Sequence, residues 1–391
     1  MITQYHVQNF KQLIDVQADF SNMNVIIGPN GAGKSSLLQS IDFLKAFTSP
    51  AFDYYLETRA IDFKNIFNKT SKKSVTWDII VRLVEDEVEY EYNYYVKISP
   101  LKRIVERLRV STNGGKMERI FTRKGREVTF HSREDLTSSF YSPNTGVLAS
   151  IEDEDGDDFP DLVRFKNFIT GIQTYLIWDP ALLRKRSRGE PDSLGPNGQH
   201  LASVLDEMKK HHEVQFKKMV RKLQKFLPSL EDISIKGSRG GYKEIMLHEW
   251  DERGTLQFNS QQISDGTLRL IAMAYLRYGK RAHSVVSFEE PENGVHPPIL
   301  RAAVQLIREV TQLKPKLRSQ VFMTTHSPYV LDILKENTDS IFVMEKGSAG
   351  SGSKLSRISE EHLETAKLLF DNSLGNLWFS DFLHRQGDEA E

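Results

Sequence analysis

The sequence predicts an α/β fold in which a glycine-rich loop joins a buried strand to a helix, with an antiparallel β meander and a helical insert added. The loop follows an apolar strand at residues 24–27 and precedes a helix at 35–47. Five strand-like segments lie between residues 75 and 131 without a helical pattern between them, which is typical of a meander. Apolar residues then recur at helical spacing, most clearly in residues 201–227.

Two changes of pattern divide the chain of 391 residues. An acidic run at 152–158 separates the strand-rich part from the helical part, and the strand pattern later returns. We therefore predict an N-terminal part at residues 1–131, a mainly helical insert at 132–232 and a C-terminal part at 233–391.

The composition is typical of a globular protein, with 39% hydrophobic and 27% charged residues. The net charge of −1 gives no overall attraction to nucleic acid or membranes, so any such surface has to be local. The chain has no cysteine, which excludes disulfides and thiolate metal sites and fits a reducing compartment. No apolar run reaches membrane-spanning length, and the first residues do not resemble a signal peptide. We predict a cytoplasmic protein.

The loop from Gly28 to Ser35 matches the pattern G-x-x-x-x-G-K-[ST] in full, and Ser36 follows it. Its glycines let backbone N–H groups approach phosphate oxygens, and the helix N-terminus that follows favours negative charge. We predict that Lys34 reaches the β- and γ-phosphates of ATP and that the Ser35 hydroxyl helps to coordinate Mg²⁺. A glycine-rich turn that binds nothing is the alternative. The residues expected to line the site are Gly28, Asn30, Gly31, Ala32, Gly33, Lys34, Ser35 and Ser36.

Alternation of apolar and polar residues predicts the strands along the first part. Asn113-Gly114-Gly115 is a turn signal between two of them. The first helix is expected to end near Ser49-Pro50, because proline disfavours continuation. The predicted strands are Ile2–Val7, Asp15–Phe20, Asn24–Ile27, Val75–Leu83, Val88–Ile98, Ile104–Ser111, Arg119–Arg123 and Glu127–His131.

Charges of opposite sign alternate in blocks along the meander. An acidic hairpin at residues 85–91 precedes a basic block within 102–126. The basic block is interpreted either as a surface for a phosphate backbone or, slightly in preference, as solvated strand faces that the acidic hairpin balances. Its members are Lys102, Arg103, Arg107, Arg109, Lys116, Arg119, Arg123, Lys124 and Arg126.

The insert is predicted to contain a helix at Asp161–Ile172 and one long helix at Leu201–Leu227. The long helix has one apolar stripe and a basic opposite side. A short basic segment, Arg184–Arg188, lies between the two helices. The basic side is interpreted as a solvated face, with contact to nucleic acid or an acidic partner as the alternative.

Ser264, Asp265 and Gly266 precede a helix at Leu268–Tyr278 and form a second candidate anion site. Serine and glycine are also ordinary helix caps, so this motif alone is a weak signal. The other elements predicted in the C-terminal part are strands at Ile233–Ile235, Ile245–Glu249, Leu256–Phe258, Ser284–Phe288, Gln320–Thr324 and Ile341–Glu345, and a helix at Glu360–Phe370.

Two apolar strands are followed directly by polar side chains. Glu289 and Glu290 follow the strand at 284–288, and His326 follows the strand at 320–324. The carboxyl ends of parallel strands form the ligand edge of an α/β sheet. Glu289 is expected to hold Mg²⁺ through water and Glu290 to polarise the attacking water. His326 is expected to donate to the γ-phosphate or contact that water, with a structural histidine as the alternative.

These motifs, in this order, resemble the Walker A, signature, Walker B, D-loop and switch-histidine motifs of SMC/RecF-type ABC ATPases. The set is most similar to stand-alone ATPases of bacterial anti-phage and abortive-infection systems and to the ATPase half of OLD-family nucleases. The resemblance covers roughly residues 1–131 and 233–345. The segments that carry it are Gly28–Ser35, Ile263–Thr267, Phe288–Pro291, Asn293–Pro297 and Thr324–Pro328.

The resemblance implies an ABC-type P-loop ATPase head that uses ATP and Mg²⁺ and forms a dimer, or a higher homo-oligomer, around bound ATP. The Ser264–Gly266 element of one subunit would face the γ-phosphate held by Gly28–Ser36 of the other. Two departures stand out. Glu289 occupies the position of the usual Walker B aspartate, and the Q-loop glutamine is missing, with Asn65 or Asn68 as possible substitutes.

The resemblance also suggests how such a head is used. The segment after the last core strand is too short for the TOPRIM nuclease domain of OLD relatives, and no long heptad array separates the two halves. We expect a nucleotide-switched sensor or scaffold that controls a separately encoded nuclease or toxin in anti-phage defence, with no membrane partner. A RecF-like DNA-repair ATPase is the alternative. An ABC-transporter subunit is weaker, because Asp265 departs from the transporter signature.

Overall fold

The computed structural model describes residues 1–58, 62–71, 73–131, 137–138, 144–152, 158–175, 179–279, 283–314, 317–336, 338–347 and 352–380. Residues 153–157 of the predicted acidic run lie outside this part of the chain. The described residues form two compact units. The first contains those within 1–172 and 338–360, and the second contains those within 173–337 and 361–385. The sequence-based boundaries at 131 and 232 stay a prediction.

The elements are numbered in chain order. The strands are β1 (Ile2–Phe10), β2 (Leu13–Asp19), β3 (Met23–Ile27), β4 (Val75–Glu85), β5 (Val88–Ile98), β6 (Ile104–Thr112), β7 (Glu118–Lys124), β8 (Glu127–Phe130), β9 (Thr137–Ser138), β10 (Ile172–Tyr175), β11 (Leu230–Gly237), β12 (Lys243–Asp251), β13 (Gly254–Asn259), β14 (Val285–Glu289), β15 (Gln320–Thr325), β16 (Ile341–Lys346) and β17 (Ser353–Arg357). The helices are α1 (Lys34–Phe47), α2 (Phe52–Thr58), α3 (Pro160–Thr170), α4 (Pro180–Arg184), α5 (Leu201–His211), α6 (Glu213–Gln224), α7 (Asp265–Tyr278), α8 (Pro297–Thr311), α9 (Pro328–Leu334), α10 (Glu360–Leu369) and α11 (Leu374–Phe379).

The first unit is built on an antiparallel sheet in the order β2-β1-β4-β5-β6-β7-β8-β9. Consecutive strands from β4 to β9 pair with their neighbours in the chain, which confirms the predicted meander. Asn113 and Gly114 follow β6 with φ values of 50° and 71°. Such left-handed pairs are what tight hairpin turns require.

One face of this sheet packs against α1. Trp77 and Ile79 of β4 and Tyr94 of β5 are fully buried, as expected for alternate residues of a half-buried strand. The Phe43 ring of α1 stacks on the Trp77 ring, with 5.3 Å between the ring centroids. Aromatic packing on the sheet thus fixes the helix that begins at the glycine loop.

A second strand group in the first unit places the glycine loop at its carboxyl edge. β3 is buried along its whole length, as expected for a strand covered on both faces. It pairs in parallel with β16, with Ile26 opposite Phe342, and β16 pairs antiparallel with β17. Gly28 therefore follows the end of a strand whose neighbour runs in the same direction.

The second unit contains a parallel strand pair and a small antiparallel sheet. β14 and β15 run parallel, with Glu289 opposite Thr324. β11, β12 and β13 form the small sheet, which contacts α5 and α6. Because β14 and β15 end together, the side chains that follow them lie at one edge.

The prediction of one long helix at Leu201–Leu227 is wrong. His212, with φ −139° and ψ 47°, separates α5 from α6. Residues 209–213 contain no apolar side chain that packing would bury, so a bend there costs no core contact. α5 then contacts β12 and β11, and α6 contacts β11 and α7. The predicted helix at Asp161–Ile172 also ends earlier, because Ile172 begins β10.

The basic block does not behave as one surface. Arg123 is 1% exposed, and its Nη1 pairs with Glu106 at 2.9 Å. Acids of the hairpin pair elsewhere: Glu91 and Glu85 lie 2.7 Å and 2.6 Å from Arg82 and Arg164. The preferred interpretation is that the acids of this hairpin balance the charges of the basic block. That interpretation is wrong for Glu85, Glu91 and Arg123, whose partners lie elsewhere.

In the part of the chain that the structure describes, no helix combines the length and the apolar character needed to cross a membrane.

Candidate functional site

Two glycines give the phosphate loop of the first unit its shape. At Gly28, with φ 156°, an added Cβ would lie 2.2 Å from the carbonyl oxygen of Met344 on β16. Gly33, with φ 111°, directly precedes Lys34, the first residue of α1. Side chains are therefore excluded at the first position and strained at the second. The resulting tight turn leads into a helix N-terminus, whose first N–H groups have no intrahelical acceptors.

Lys34 is held at the base of this loop. Its Nζ donates to the carbonyl oxygens of Gly28 at 2.8 Å and Pro29 at 3.1 Å, and the residue is 5% exposed. The remaining predicted ligands lie at the exposed tip (Asn30, Gly31), in the buried base (Ala32, Gly33, Ser36) or half-buried in the first turn of α1 (Ser35). A tight glycine loop, a helix N-terminus and a buried ammonium group together fit a nucleotide phosphate.

The side chain of Asn68, one of the two candidates to replace the Q-loop glutamine, forms hydrogen bonds with nearby backbone groups. Its Oδ1 accepts from the backbone N–H groups of Thr70 at 3.0 Å and Ser71 at 2.9 Å. Its Nδ2 donates to the carbonyl of Lys11 at 2.7 Å. Asn65, the other candidate, is exposed. The turn at Asn68 therefore fastens the β1–β2 hairpin.

Lys11 itself was not selected from the sequence. Its Nζ donates to Gln39 Oε1 on α1 at 2.6 Å, and burial lowers the pKa of its ammonium group. Gln39 lies one helical turn after Ser35, and residues four apart share a helix face. A second cation therefore lies beside the helix that follows the loop. In the sequence, Lys11 lies four residues after the predicted strand Ile2–Val7 and belongs to no motif. Nothing in the sequence therefore indicates its contact with Gln39.

Glu290, in the second unit, combines a left-handed backbone with two side-chain partners. Its φ is 45°, which is rare for a residue with a side chain. Its N–H donates to the carbonyl of Thr324 at 3.1 Å, which helps to hold this backbone. One carboxylate oxygen lies 3.1 Å from His326 Nε2, and the other accepts from Asn293 Nδ2 at 2.8 Å. Glu290 and His326, predicted separately, are thus brought together.

Glu292 supports this pair and was missed by sequence analysis. Its Oε1 accepts from the backbone N–H of His326 at 2.7 Å and from Thr325 Oγ1 at 2.8 Å. It fixes the loop that carries the histidine. The sequence signal was present, since Glu292 is the third acid of the run that begins at Glu289, but its partner is distant in the chain.

The predicted signature element caps α7. Ser264 Oγ accepts from the N–H of Thr267 at 3.1 Å, which is the ordinary capping role. Asp265 is the first residue of α7 and pairs with Arg184. Gly266 follows in the first turn. The helix N-terminus has the polarity that an anion site needs, and the assignment of Ser264–Gly266 to such a site stays a prediction.

Arg269 connects α7 to the carboxylate cluster. Its Nη1 donates to the carbonyl of Asn293, the residue whose side chain holds Glu290. Burial lowers the pKa of the Arg269 guanidinium, and the nearby Asp265 opposes this effect. Within the second unit, the signature helix and the Glu290–His326 pair are therefore joined through two residues.

The two predicted magnesium ligands lie in different units. Ser35 is in the first turn of α1, and Glu289 is the last residue of β14. No group of three or more His, Asp or Glu side chains is placed to hold a metal ion among the residues described. A magnesium ion bound mainly through phosphate and water does not require such a cluster. The assignment of these two residues stays a prediction.

Comparison with known proteins identifies a family and a fold. The family described as AAA domain, putative AbiEii toxin, Type IV TA system matches residues 23–332. No curated protein matches the sequence.

Two SMC heads are among the solved structures that are similar in fold. An SMC head bound to the C-winged helix domain of ScpA has a TM-score of 0.55 and 15% identity, over 94% of this chain and 99% of that chain. An SMC head domain with an extended coiled coil, bound to the C-terminal domain of ScpA from Pyrococcus furiosus, has a TM-score of 0.51 and 14% identity, over 95% and 98%. At these identities the likeness shows the fold alone, and it confirms the predicted ATPase-head fold class.

Proposed function

The chain belongs to this family of AAA domains, and on that premise we propose that it binds ATP with Mg²⁺ and hydrolyses ATP. The observation that carries the proposal is the environment of Glu290. Its backbone is held at φ 45°, a strained conformation of the kind that clusters at active sites. Its carboxylate is 27% exposed beside a histidine, so it can still approach a water molecule. The tight loop at Gly28–Ser36 supplies the complementary phosphate-binding chemistry.

Each residue has a distinct proposed role. Lys34 would exchange its loop carbonyls for the β- and γ-phosphates. The Ser35 hydroxyl and, through water, Glu289 would hold Mg²⁺, which would neutralise phosphate charge. Glu290 accepts a proton from, or orients, the attacking water, and His326 donates a hydrogen bond to the γ-phosphate.

Calorimetry with ATP and Mg²⁺ tests the binding step. Lys34→Ala should lose measurable ATP affinity while its circular dichroism stays unchanged, because a buried ammonium group in the loop has been removed. Lys64→Ala, at an exposed lysine of the same unit, is the matched control. Unchanged ATP affinity in Lys34→Ala would rule out the loop as the nucleotide site.

We further propose that ATP closes two heads into a dimer and that this switch controls a separately encoded effector, a nuclease or toxin, in anti-phage defence. The name of the matched family and the motif order support this assignment. The similar SMC heads are bound to ScpA in their structures, which supports a protein partner for this chain as well. A basic surface for nucleic acid is the alternative, and the burial of Arg123 removes one member of that surface.

Co-purification from the native operon tests the partner. A second operon protein should co-elute with the wild type and be retained differently by Lys34→Ala. Sedimentation should show ATP-dependent dimers or larger assemblies. A chain that stays monomeric with ATP and co-elutes with nothing would contradict the switch. Cleavage of nucleic acid by the pure chain alone would show that the effector site lies within it.

A further inference from the structure

The signature element of the second unit carries a charge that conflicts with its proposed ligand. Asp265 is the first residue of α7, between Ser264 and Gly266, and its side chain is 50% exposed. An acid in a first turn is favourable for the helix itself. A carboxylate at this position nevertheless repels a phosphate that approaches the same N-terminus. If Ser264–Gly266 contacts ATP, the negative charge of Asp265 has to be neutralised by a neighbouring cation.

Arg184 supplies the compensating charge. It is the last residue of α4 and the first of the short basic segment Arg184–Arg188. Its Nη2 pairs with Asp265 Oδ1 and also donates to the carbonyl oxygen of Ile263 at 2.7 Å. One guanidinium group thus contacts both sides of Ser264.

The arginine is itself fixed in place. Its side chain is 19% exposed, and its backbone carbonyl accepts from Ser260 Oγ at 2.9 Å. Ser260 is buried and lies just before the signature element. The end of α4 and the approach to α7 are therefore held together at two points, which limits the conformations of the backbone at Ser264–Gly266.

We propose that Arg184 is a positioning residue for the signature element. It neutralises Asp265 and holds the carbonyl of Ile263, so that the N-terminus of α7 can approach the γ-phosphate of ATP bound to a second copy of the chain. This inference rests on the proposed function. It assigns to Arg184 a role in hydrolysis.

A purely stabilising role of Arg184 and the proposed positioning role predict different results. If Arg184 only stabilised the fold, its loss would lower the melting temperature and affect every activity alike. If it compensates Asp265, its loss affects hydrolysis, leaves the ATP affinity of Gly28–Ser36 in the other unit unchanged, and matters less when Asp265 is uncharged. These three readouts separate the two roles.

The test measures ATP hydrolysis and calorimetric ATP affinity in matched variants. Arg184→Met should lower the hydrolysis rate about tenfold or more, the range for losing hydrogen bonds to a charged group, with ATP affinity within about twofold of the wild type. Arg186→Met is the control, because Arg186 belongs to the same basic segment but pairs with Glu244 at 2.6 Å. In an Asp265→Asn background, Arg184→Met should cost less than about threefold, since coupled residues are not additive.

Each outcome decides between the roles. Wild-type hydrolysis in Arg184→Met, an equal loss in the Asp265→Asn background, or a parallel loss of ATP affinity would overturn the inference. If Arg184→Met does not fold, Arg184→Gln replaces it, because glutamine keeps a donor for Ile263 and removes the charge; the same comparisons then apply. If the wild type itself binds no ATP, the proposed ATPase function is wrong. That result differs from a failure of the Arg184 inference, in which the wild type binds and hydrolyses ATP normally.

Discussion

Two acid–base pairs of this chain, one in each unit, differ in almost every physical respect. Glu106 and Arg123 of the meander are separated by 2.9 Å, and both side chains are 0% exposed. Glu290 and His326 are separated by 3.1 Å, with side chains 27% and 31% exposed. The first pair is a closed structural contact, and the second remains accessible to a small molecule.

The surroundings of the closed pair explain its role. Glu106 also accepts from Tyr94 Oη at 2.8 Å and from the N–H of Val147 at 3.2 Å. Arg123 Nη1 also donates to the carbonyl of Thr145 at 2.6 Å. A buried charge is tolerated when its partners are satisfied in this way. The network joins the meander to the segment after it and leaves no group for chemistry.

The open pair shows the opposite arrangement. Glu290 has a backbone that is costly for a residue with a side chain, and its carboxylate contacts two partly exposed or surface groups, His326 and Asn293. Strain and exposure reduce stability, and they are kept where a function uses them. Charge alone therefore does not identify a candidate site, because burial and hydrogen-bond completeness differ between these two pairs.

The largest expected effect is on stability, from opening the closed pair. Arg123→Met leaves Glu106 buried without its cation, which should lower the free energy of unfolding by about 3–5 kcal/mol. Urea denaturation measures this value. Arg107→Met is the control, since Arg107 is only half-buried and stacks on Tyr95. A change as small as the control's would show that Arg123 is not a core residue.

The next effect is on catalysis, from removing the charge of the open pair. Glu290→Gln keeps the size and one hydrogen bond of the side chain but cannot polarise water. Hydrolysis should fall about a hundredfold or more, as for other losses of a general base, while ATP affinity persists. Glu289→Gln should cost less. A normal rate of ATP hydrolysis in Glu290→Gln would show that Glu290 is not the catalytic carboxylate.

The other half of the open pair should give a smaller effect. His326→Ala should lower ATP hydrolysis about tenfold, the value of one charge-assisted hydrogen bond, with little change in unfolding free energy because the side chain is partly exposed. His248→Ala is the control, as His248 bonds Ser234 Oγ at 2.7 Å on the small sheet. Equal rates of ATP hydrolysis in His326→Ala and His248→Ala would show that His326 has only a structural role.

The smallest expected effect concerns the strained backbone. At an ordinary position, alanine is more stable than glycine. At position 290, with φ 45°, Glu290→Gly should be more stable than Glu290→Ala by about 1 kcal/mol. Thermal and urea unfolding of the two inactive variants measure this difference. The usual order, with alanine more stable, would argue that the positive φ is not a property of the folded chain in solution.

Most strands of this protein and its glycine-rich loop are predictable from the sequence alone. Strand alternation, the Asn113-Gly114 turn and the loop at Gly28–Ser36 are local patterns, and the meander appears in the structure with nearly the predicted bounds. Local steric and periodic effects are sufficient for such predictions. The break at His212 was missed because propensity and periodicity do not include tertiary contacts, in which α5 packs on β12 and α6 on α7.

Which charges pair with each other depends on the tertiary structure. Arg123 looked like one member of a basic surface and is a core residue, whereas Arg184 looked like part of an exposed loop and pairs with Asp265 beside Ser264. Glu290 meets His326 because β14 and β15 run parallel and end together. The partner of an ionic group depends on long-range packing and burial, and residues far apart in the chain carry no local pattern that records it.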